Sequence, residues 1–584
     1  MILQKCMHIG SNKCDVSEMY FNGKGYSDSL NSICIEKNGI ISTDTYFNSI
    51  SIEKWKKYTV AEKFCLEIDI EGKCDIYLCF AWIDENNIIR RFGDNKVFYT
   101  KKTSGRETLI FEYPKCEKAV IAYYQICAVE KVQVFNSAYV SNHDVTARDI
   151  KLAVSICTYK REEYVYENVK RLIEECIPYA NIDILISDNS CSLDAKKLKH
   201  GATDRVFVYR NKNLGGSGGF ARCIIEAKKS EKYTHVLLMD DDVLINSDSI
   251  IRTYTFLRLL KNDYLNSMIG GGMLIMDKKN IQFESGAFYY RGDLSFTQKN
   301  ADLRTIRNVI QNELKRQINY NAWCFCSIPL SLISYDNLPL PIFVHMDDVE
   351  YGVRNNAEII TMNGISLWHP FYSNQRSESI VYYDVRNKLI LMSEFGGVDI
   401  RDYARKYLDI FHLSIFNYDY ERTLMACKGI EDFCKGIDYF KKIDAVDLNE
   451  RLIKKNKKWI LMQGECDEKR DSPSKRTISR RLLLKTYFLP NFNKRVSVYD
   501  CSISEVFPEG EKQFYLYNPV THKITSYKKS LFMMLKAKKA CRRTKKMIDH
   551  SLLDVSFEWK DRINELYSID FWNEYLRMEN SVNE

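Results

Sequence analysis

Proline is scarce, 10 residues in 584, and no low-complexity tract occurs, which argues against long extended tails and leaves ordered globular domains. The 19 cysteines contain no C-x-x-C pair; Cys324 and Cys326, separated by Phe325, come nearest. A zinc site of paired-cysteine type is therefore not expected, and the thiols read as free in a reducing cytoplasm. No run approaches the about 20 apolar residues that a bilayer span needs, and Met-Ile-Leu-Gln-Lys-Cys at the start lacks the apolar core of a signal peptide. Charge of one sign is also lacking: 85 basic and 77 acidic residues leave +8. With no arginine-rich arm and no RNA- or DNA-binding fingerprint, nucleic acid is not an expected partner. The expected localisation is cytoplasmic, with a peripheral place at the inner face of the cytoplasmic membrane left open.

What is present is 45% hydrophobic and 13% aromatic residues, enough to bury sizeable cores, in a chain too long for one of them. Up to about residue 150, short strand-like runs (Phe64 to Ile70, Asp75 to Ile83, Thr108 to Tyr113, Ala119 to Ala128, Val132 to Val140) predict an antiparallel sandwich or barrel. From Lys151 the pattern changes. Leu152 to Thr158 reads as a buried strand, Glu162 to Cys176 as a helix, and Ile182 to Ser187 as a strand, with further strands at Arg205 to Tyr209 and His235 to Met239. Alternating strands and helices imply a mainly parallel sheet that gathers ligands at the carboxyl ends of its strands, where Thr158, Arg161, Asp188 and Asn189 fall. Beyond about Gly396 the spacing turns helical, and the charged stretch Asp467 to Ser479, with Pro473, reads as a loop. The expected class is α/β: an N-terminal β-sandwich (1–150), a central Rossmann-like domain (151–395) and a C-terminal helical region (396–584) for packing and assembly. Basic residues gather at Lys454, Lys455, Lys457 and Lys458, and from Lys528 to Lys546 around the apolar run Leu531 to Leu535. The second cluster suits a solvated helix face or contact with an anionic membrane.

Val236-Leu237-Leu238-Met239-Asp240-Asp241-Asp242 is an apolar strand that ends in three carboxylates. Crowded carboxylates repel unless a hard divalent cation neutralises them. Strand alternation sends Asp240 and Asp242 to one side and Asp241 to the other; a solvated acidic turn is the plainer alternative. Upstream, Asn213-Leu214-Gly215-Gly216-Ser217-Gly218-Gly219 opens a helix, a place where backbone N–H groups can meet an anion. Gly216 to Ala221 also fits the degenerate dinucleotide pattern G-x-G-x-x-A, an oxidoreductase reading that leaves the triple carboxylate unexplained. A second acidic pair, Asp347 and Asp348, follows Phe343-Val344-His345-Met346. Glycosyl transfer with inversion needs one carboxylate to take the acceptor proton and a cation to stabilise a departing diphosphate, and the chain has an acidic cluster for each. Helix capping is the plainer use of Asp347 and Asp348. His369, beside Trp368, reads alone as a packing residue.

Together the motifs Cys157-Thr158-Tyr159-Lys160-Arg161, Ser187-Asp188-Asn189, the glycine loop, Met239-Asp240-Asp241-Asp242, Asp347-Asp348-Val349-Glu350-Tyr351-Gly352, Trp368-His369 and Arg386-Asn387 resemble the galactofuranosyltransferase family over about 151–395. The resemblance implies a GT-A-type domain, inversion, and UDP-galactofuranose or another UDP-sugar as donor. It implies a divalent cation on Asp240, Asp242 and His369, with Asp348 as general base and Asp347 orienting the acceptor; oxygen ligands with one imidazole suit Mn²⁺ or Mg²⁺ and lean toward Mn²⁺. Thr158, Arg161, Asp188, Asn213, Gly215, Gly216 and Asp241 are expected near the nucleotide, and Trp323, Glu284, Trp368 and Asp384 near the acceptor or sugar. The acceptor is expected to be a growing bacterial surface glycan, with a lipid-linked form and a homo-oligomeric enzyme both open. Two positions depart from the family: its tandem tryptophan is Ala322-Trp323 here, and its histidine two residues before Arg-Asn is Asp384. Both lie where acceptor recognition is expected and leave another acceptor, linkage or donor sugar open, with the metal and base positions intact; a non-catalytic carbohydrate-binding or assembly protein is a separate alternative.

Overall fold

A computed structural model describes the chain except residues 8–15, 28–31, 93–95, 98–104, 142–145, 199–203, 371–376, 398, 462–495, 502–510, 519–520 and 577–584. The loop expected at Asp467 to Ser479 lies outside the described residues. By Cα proximity the chain falls into two compact units: 1–212 with 218–339 and 348–370, and 213–217 with 340–347 and 371–584.

The first unit begins with two six-stranded antiparallel sheets. One is built around Phe64–Glu71 and Val132–Ser141, the other around Cys74–Ile83 and Ile121–Ala128. The long strands lie close to the predicted runs because alternating side chains fill one face. Their inner faces meet: the Tyr139 hydroxyl donates to the Ala122 carbonyl across 3.5 Å, and the Tyr124 and Ser137 hydroxyls share a hydrogen bond of 2.7 Å. The short strands Ile2–Lys5, Ile33–Ile35 and Ile40–Ser42 extend the sheets. Sequence reading missed them, since three or four residues carry too little pattern.

The same unit continues as an α/β sheet. Its parallel core is β1 (Leu152–Thr158), β2 (Ile182–Asp188), β3 (Val206–Arg210) and β4 (His235–Asp240), in the order β3-β2-β1-β4. Register sets Thr158 beside Asp188 and Cys157 beside Asp240, so their carboxyl ends form one edge. Helix α1 (Glu162–Arg171) follows β1, α2 (Gly215–Lys229) follows β3, and α3 (Ser247–Leu259) follows β4. Beyond β4 the sheet becomes mixed. β5 (Met268–Ile275) runs antiparallel to β6 (Lys278–Glu284) and β7 (Phe325–Pro329), and β7 is antiparallel to β4. β8 (Ile359–His369), buried at every residue, runs parallel to β5. Helix α4 (Asp347–Asn355) precedes β8.

The second unit is mainly helical: α5 (Glu378–Phe395) lies against Tyr420–Phe433, and α6 (Leu531–His550) lies against Tyr420–Phe433 and Ile400–Leu413. It also contains a four-stranded sheet, Ile460–Leu461, Lys523–Lys528, Gln513–Asn518 and Val498–Asp500. The mainly helical expectation for this region named no strand. Phe514, Leu516 and Tyr527 of that sheet share a core with Tyr418, Met534 and Ala537.

Candidate active site

β4 delivers Asp240 to the sheet edge, and the chain then bends. The bend is fixed from behind, where the Asn168 amide on α1 donates to the carbonyls of Asp241 and Val243 at 2.9 and 3.0 Å. Leu244 and Trp368 next exchange backbone hydrogen bonds of 2.9 and 3.2 Å, which pins the carboxylate turn to the end of β8 and brings His369 to it. One ligand atom each from Asp240, Asp242 and His369 lies within 4.8 Å of the others. His369 Nε2 is 3.3 Å from Asp240 Oδ2 and 3.7 Å from Asp242 Oδ1. Its Nδ1 lies 2.7 Å from the Pro370 carbonyl, which fits a tautomer with Nδ1–H donating and Nε2 turned to the carboxylates. Two carboxylates and one imidazole held this way fit a divalent cation. Without one, burial pulls the His369 pKa down, but the hydrogen bond to Asp240 and the charges of Asp240 and Asp242 outweigh it and raise the pKa.

Asp241 lies in the bend beyond the end of β4, outside the ligand trio. Its carboxylate accepts from Thr158 Oγ1 at 2.7 Å and Arg161 Nη1 at 2.8 Å, and Arg161 Nη1 is also 2.8 Å from Asp242 Oδ2. Burial raises the Asp241 pKa against the pull of Arg161 and Thr158. Asp188, fully buried, accepts from Ser190 N, Ser190 Oγ and Leu193 N at 3.0, 2.8 and 2.8 Å, so its carboxylate is occupied in shaping the loop after β2. Of the residues expected near the nucleotide, Thr158, Arg161, Asp188 and Asp241 thus meet at one sheet edge, bonded to protein partners.

Asp348 accepts a 2.8 Å hydrogen bond from Val349 N in the first turn of α4. Burial, and then the charge of Asp240, push its pKa up to about 6 despite that bond. Glu284, at the end of β6, is 4% exposed, and its Oε2 has no hydrogen-bond partner among the described atoms. Burial and then the charge of Asp348 push it up to about 8. Trp323 is 5% exposed, with its ring edge-on to Phe220 at 5.6 Å and to Tyr351 at 5.9 Å. Trp368 corrects an expectation. It is fully buried, lies 5.9 Å from Phe47 and donates its indole N–H to the Lys279 carbonyl at 3.0 Å, so it packs the core and offers no face to a sugar.

Within the second unit, Asn213 Oδ1 accepts from Gly215 N at 3.2 Å, and Ser217 N donates to the Phe343 carbonyl at 3.2 Å. Gly215 has φ +71°, and a Cβ there would lie 2.0 Å from the Phe343 oxygen. A side chain at Gly216 would meet nothing nearer than Asp347 Oδ2 at 3.7 Å. Asp384 pairs with Lys388 at 3.0 Å. The loop before Asp347 is strained, with Phe343, His345 and Met346 at φ 76°, 65° and 72°. Its carbonyls are gripped by α5: Asn387 Nδ2 lies 3.1, 2.8 and 2.9 Å from the oxygens of Ile342, Val344 and His345, Arg386 Nη2 donates to the Ile342 oxygen at 2.9 Å, and Phe343 stacks on Tyr383 at 5.0 Å. The Arg386-Asn387 motif carried no structural role in the sequence reading. Nor did Asn168, although a buried amide inside an amphipathic helix is a usable signal.

Residues 149–325 match the family described as Glycosyltransferase like family 2. That stretch is similar to glycosyltransferases. Curated relatives extend the likeness beyond it: galactofuranosyltransferase GlfT2 of Mycolicibacterium smegmatis is 23% identical over 457 residues, 72% of this chain and 69% of that one. GlfT2 of Mycobacterium tuberculosis is 22% identical over 449 residues, 71% and 68% of the two chains. Among solved structures, S. aureus TarS aligns at 12% identity over 51% of this chain and 50% of its own, with a TM-score of 0.32. The resemblance to the galactofuranosyltransferases therefore spans most of the sequence, and glycosyl transfer on a GT-A-type α/β domain is the chemistry it supports.

Proposed function

We propose that the chain is an inverting, divalent-metal-dependent glycosyltransferase that moves galactofuranose from UDP-galactofuranose to a hydroxyl of a growing bacterial surface glycan. The observation that carries this reading is the convergence of Asp240, Asp242 and His369, with Asp348 near enough for the charge of Asp240 to raise its pKa. Asp240, Asp242 and His369 would hold the cation, Mn²⁺ in preference to Mg²⁺. When bound, it supplies charge neutralisation to the departing diphosphate. Asp348 takes the proton of the acceptor hydroxyl as that oxygen bonds to the anomeric carbon. The bond from that carbon to the β-phosphate oxygen breaks on the opposite face, and UDP leaves with the electron pair. A base titrating near 6 is largely ionised at neutral pH and still basic enough to accept the proton. Glu284, protonated at neutral pH, is suited to donate a hydrogen bond to a sugar oxygen.

Thr158, Arg161, Asp188, Asn213, Gly215, Gly216 and Asp241 are assigned to the nucleotide-sugar side, and Asp347, Trp323 and Asp384 to the acceptor side. In this assignment residues 1–150 form a β-sandwich scaffold, 151–395 the GT-A domain and 396–584 the assembly region, working at the cytoplasmic face of the membrane on a glycan that is lipid-linked. The test is UDP release from a panel of UDP-sugars, including the furanose and pyranose forms of galactose, with and without Mn²⁺. Selective, metal-dependent release from UDP-galactofuranose is the expected result, and release without metal overturns the mechanism. A second reading keeps the chemistry but changes the donor. It is favoured by Asp384, whose ion pair with Lys388 stands where the family has a histidine, and selective release from another UDP-sugar would establish it.

A further inference from the structure

We propose that the solvent face of α6 is a docking surface for an anionic lipid bilayer, a property independent of the glycosyl-transfer reading. The helix buries one stripe, Met534, Ala537, Ala540, Cys541, Thr544 and Ile548, in the second unit. At 100° per residue the opposite face carries Phe532, Leu535, Lys539, Arg542 and Lys546.

The two halves of that face differ. The first turns present Leu531, Phe532 and Leu535, which are 55%, 75% and 56% exposed, three large apolar side chains where a solvated helix would carry polar ones. Lys528 and Lys529 precede them, and seven Lys or Arg residues follow between Lys536 and Lys546 with no Asp or Glu among them. Among the described residues, few acids approach the helix. Glu431 pairs with Arg543 at 2.7 Å and accepts from Thr544 at 2.8 Å; Asp549 pairs with Arg405 at 2.8 Å; Asp409 lies near Cys541. No described ion pair neutralises Lys536, Lys539, Arg542 or Lys546.

An uncompensated basic face fits a polyanion, and the apolar end selects among polyanions. Phe532, Leu531 and Leu535 gain nothing from a solvated phosphate backbone, whereas at a headgroup boundary they enter the acyl region while the lysines stay among the phosphates. This ordering, an apolar tip followed by a basic shaft, is that of a helix lying in the plane of an anionic interface.

The experiment is co-sedimentation of the full chain with vesicles of phosphatidylcholine containing about a third phosphatidylglycerol, and with pure phosphatidylcholine. Binding to the anionic vesicles alone, weakened by salt, is expected. Each basic residue near such a surface is worth about fivefold in partitioning, so the triple variant K536E/K539E/R542E should bind at least roughly 100-fold more weakly. The variant F532S/L535S, which keeps every charge, should also lose vesicle binding yet keep its salt-dependent retention on heparin. Both variants lie on exposed positions, and unchanged circular dichroism and UDP release will show that they fold. The proposal is overturned if the wild type ignores anionic vesicles, if either variant binds them as the wild type does, or if a single-stranded oligonucleotide is bound in place of lipid.

Discussion

Glu284→Gln tests the electrostatics of the site through stability rather than turnover. The carboxyl is buried, and its pKa in the fold is about 8 against an ordinary 4.5. A folded value above the unfolded one means that the native state keeps a proton which the unfolded chain releases. Stability is then fully present below about pH 4.5 and falls by about 1.4 kcal/mol per pH unit until about pH 8. Between pH 4.5 and 7 the loss is roughly 3 kcal/mol, and above pH 8 it levels near roughly 5. Glutamine has the same shape and no charge in either state, so E284Q escapes the loss. The assay is urea unfolding in chelator, followed by amide hydrogen exchange in β5 and β6 so that the first unit is read by itself. The two proteins should unfold together near pH 4.5, with E284Q the more stable by roughly 3 kcal/mol at pH 7. Equal stabilities at pH 8, or one pH slope for both, would refute the reasoning.

Asp348→Asn should lower turnover by about 10²- to 10⁴-fold while UDP and Mn²⁺ binding, measured by calorimetry, stay intact; retained turnover excludes it as the base. Because a raised pKa near 6 must be ionised for base catalysis, the wild-type rate at saturating metal should fall about tenfold per unit below that pH, and a flat profile from pH 5 to 7 would count against this role. Asp242→Ala and His369→Ala should each abolish Mn²⁺-dependent UDP binding, with normal calorimetric titrations as the contrary result. Asn387→Ala removes the grip on three carbonyls of a strained loop and should destabilise the second unit by roughly 2 kcal/mol, read from its urea midpoint; an unchanged midpoint would show that the loop holds itself.

Where local pattern suffices, the sequence was readable. Leu152–Thr158 is a mostly apolar run legible as a buried strand from its own pattern, and Val236 to Met239 likewise announces the strand that ends at Asp240. His369 is different: it reaches the carboxylates through the pairing of Leu244 with Trp368, a contact across 124 residues that no local rule supplies, and only the family resemblance pointed to it. Trp368 was misread because a tryptophan beside a site looks the same in sequence whether its ring faces ligand or core. The sheet at Gln513–Asn518 and Lys523–Lys528 was missed among charged neighbours that blur its alternation. Positive φ at Phe343, His345 and Met346 has no sequence signature, since none of them is glycine.

Arg161 lies 2.8 Å from a carboxylate oxygen of both Asp241 and Asp242, and His369 leans on Asp240. One guanidinium thus offsets two neighbouring carboxylates, so a change at position 161 is felt by both at once. Without that cation Asp241 and Asp242 would repel one another across adjacent positions of the bend.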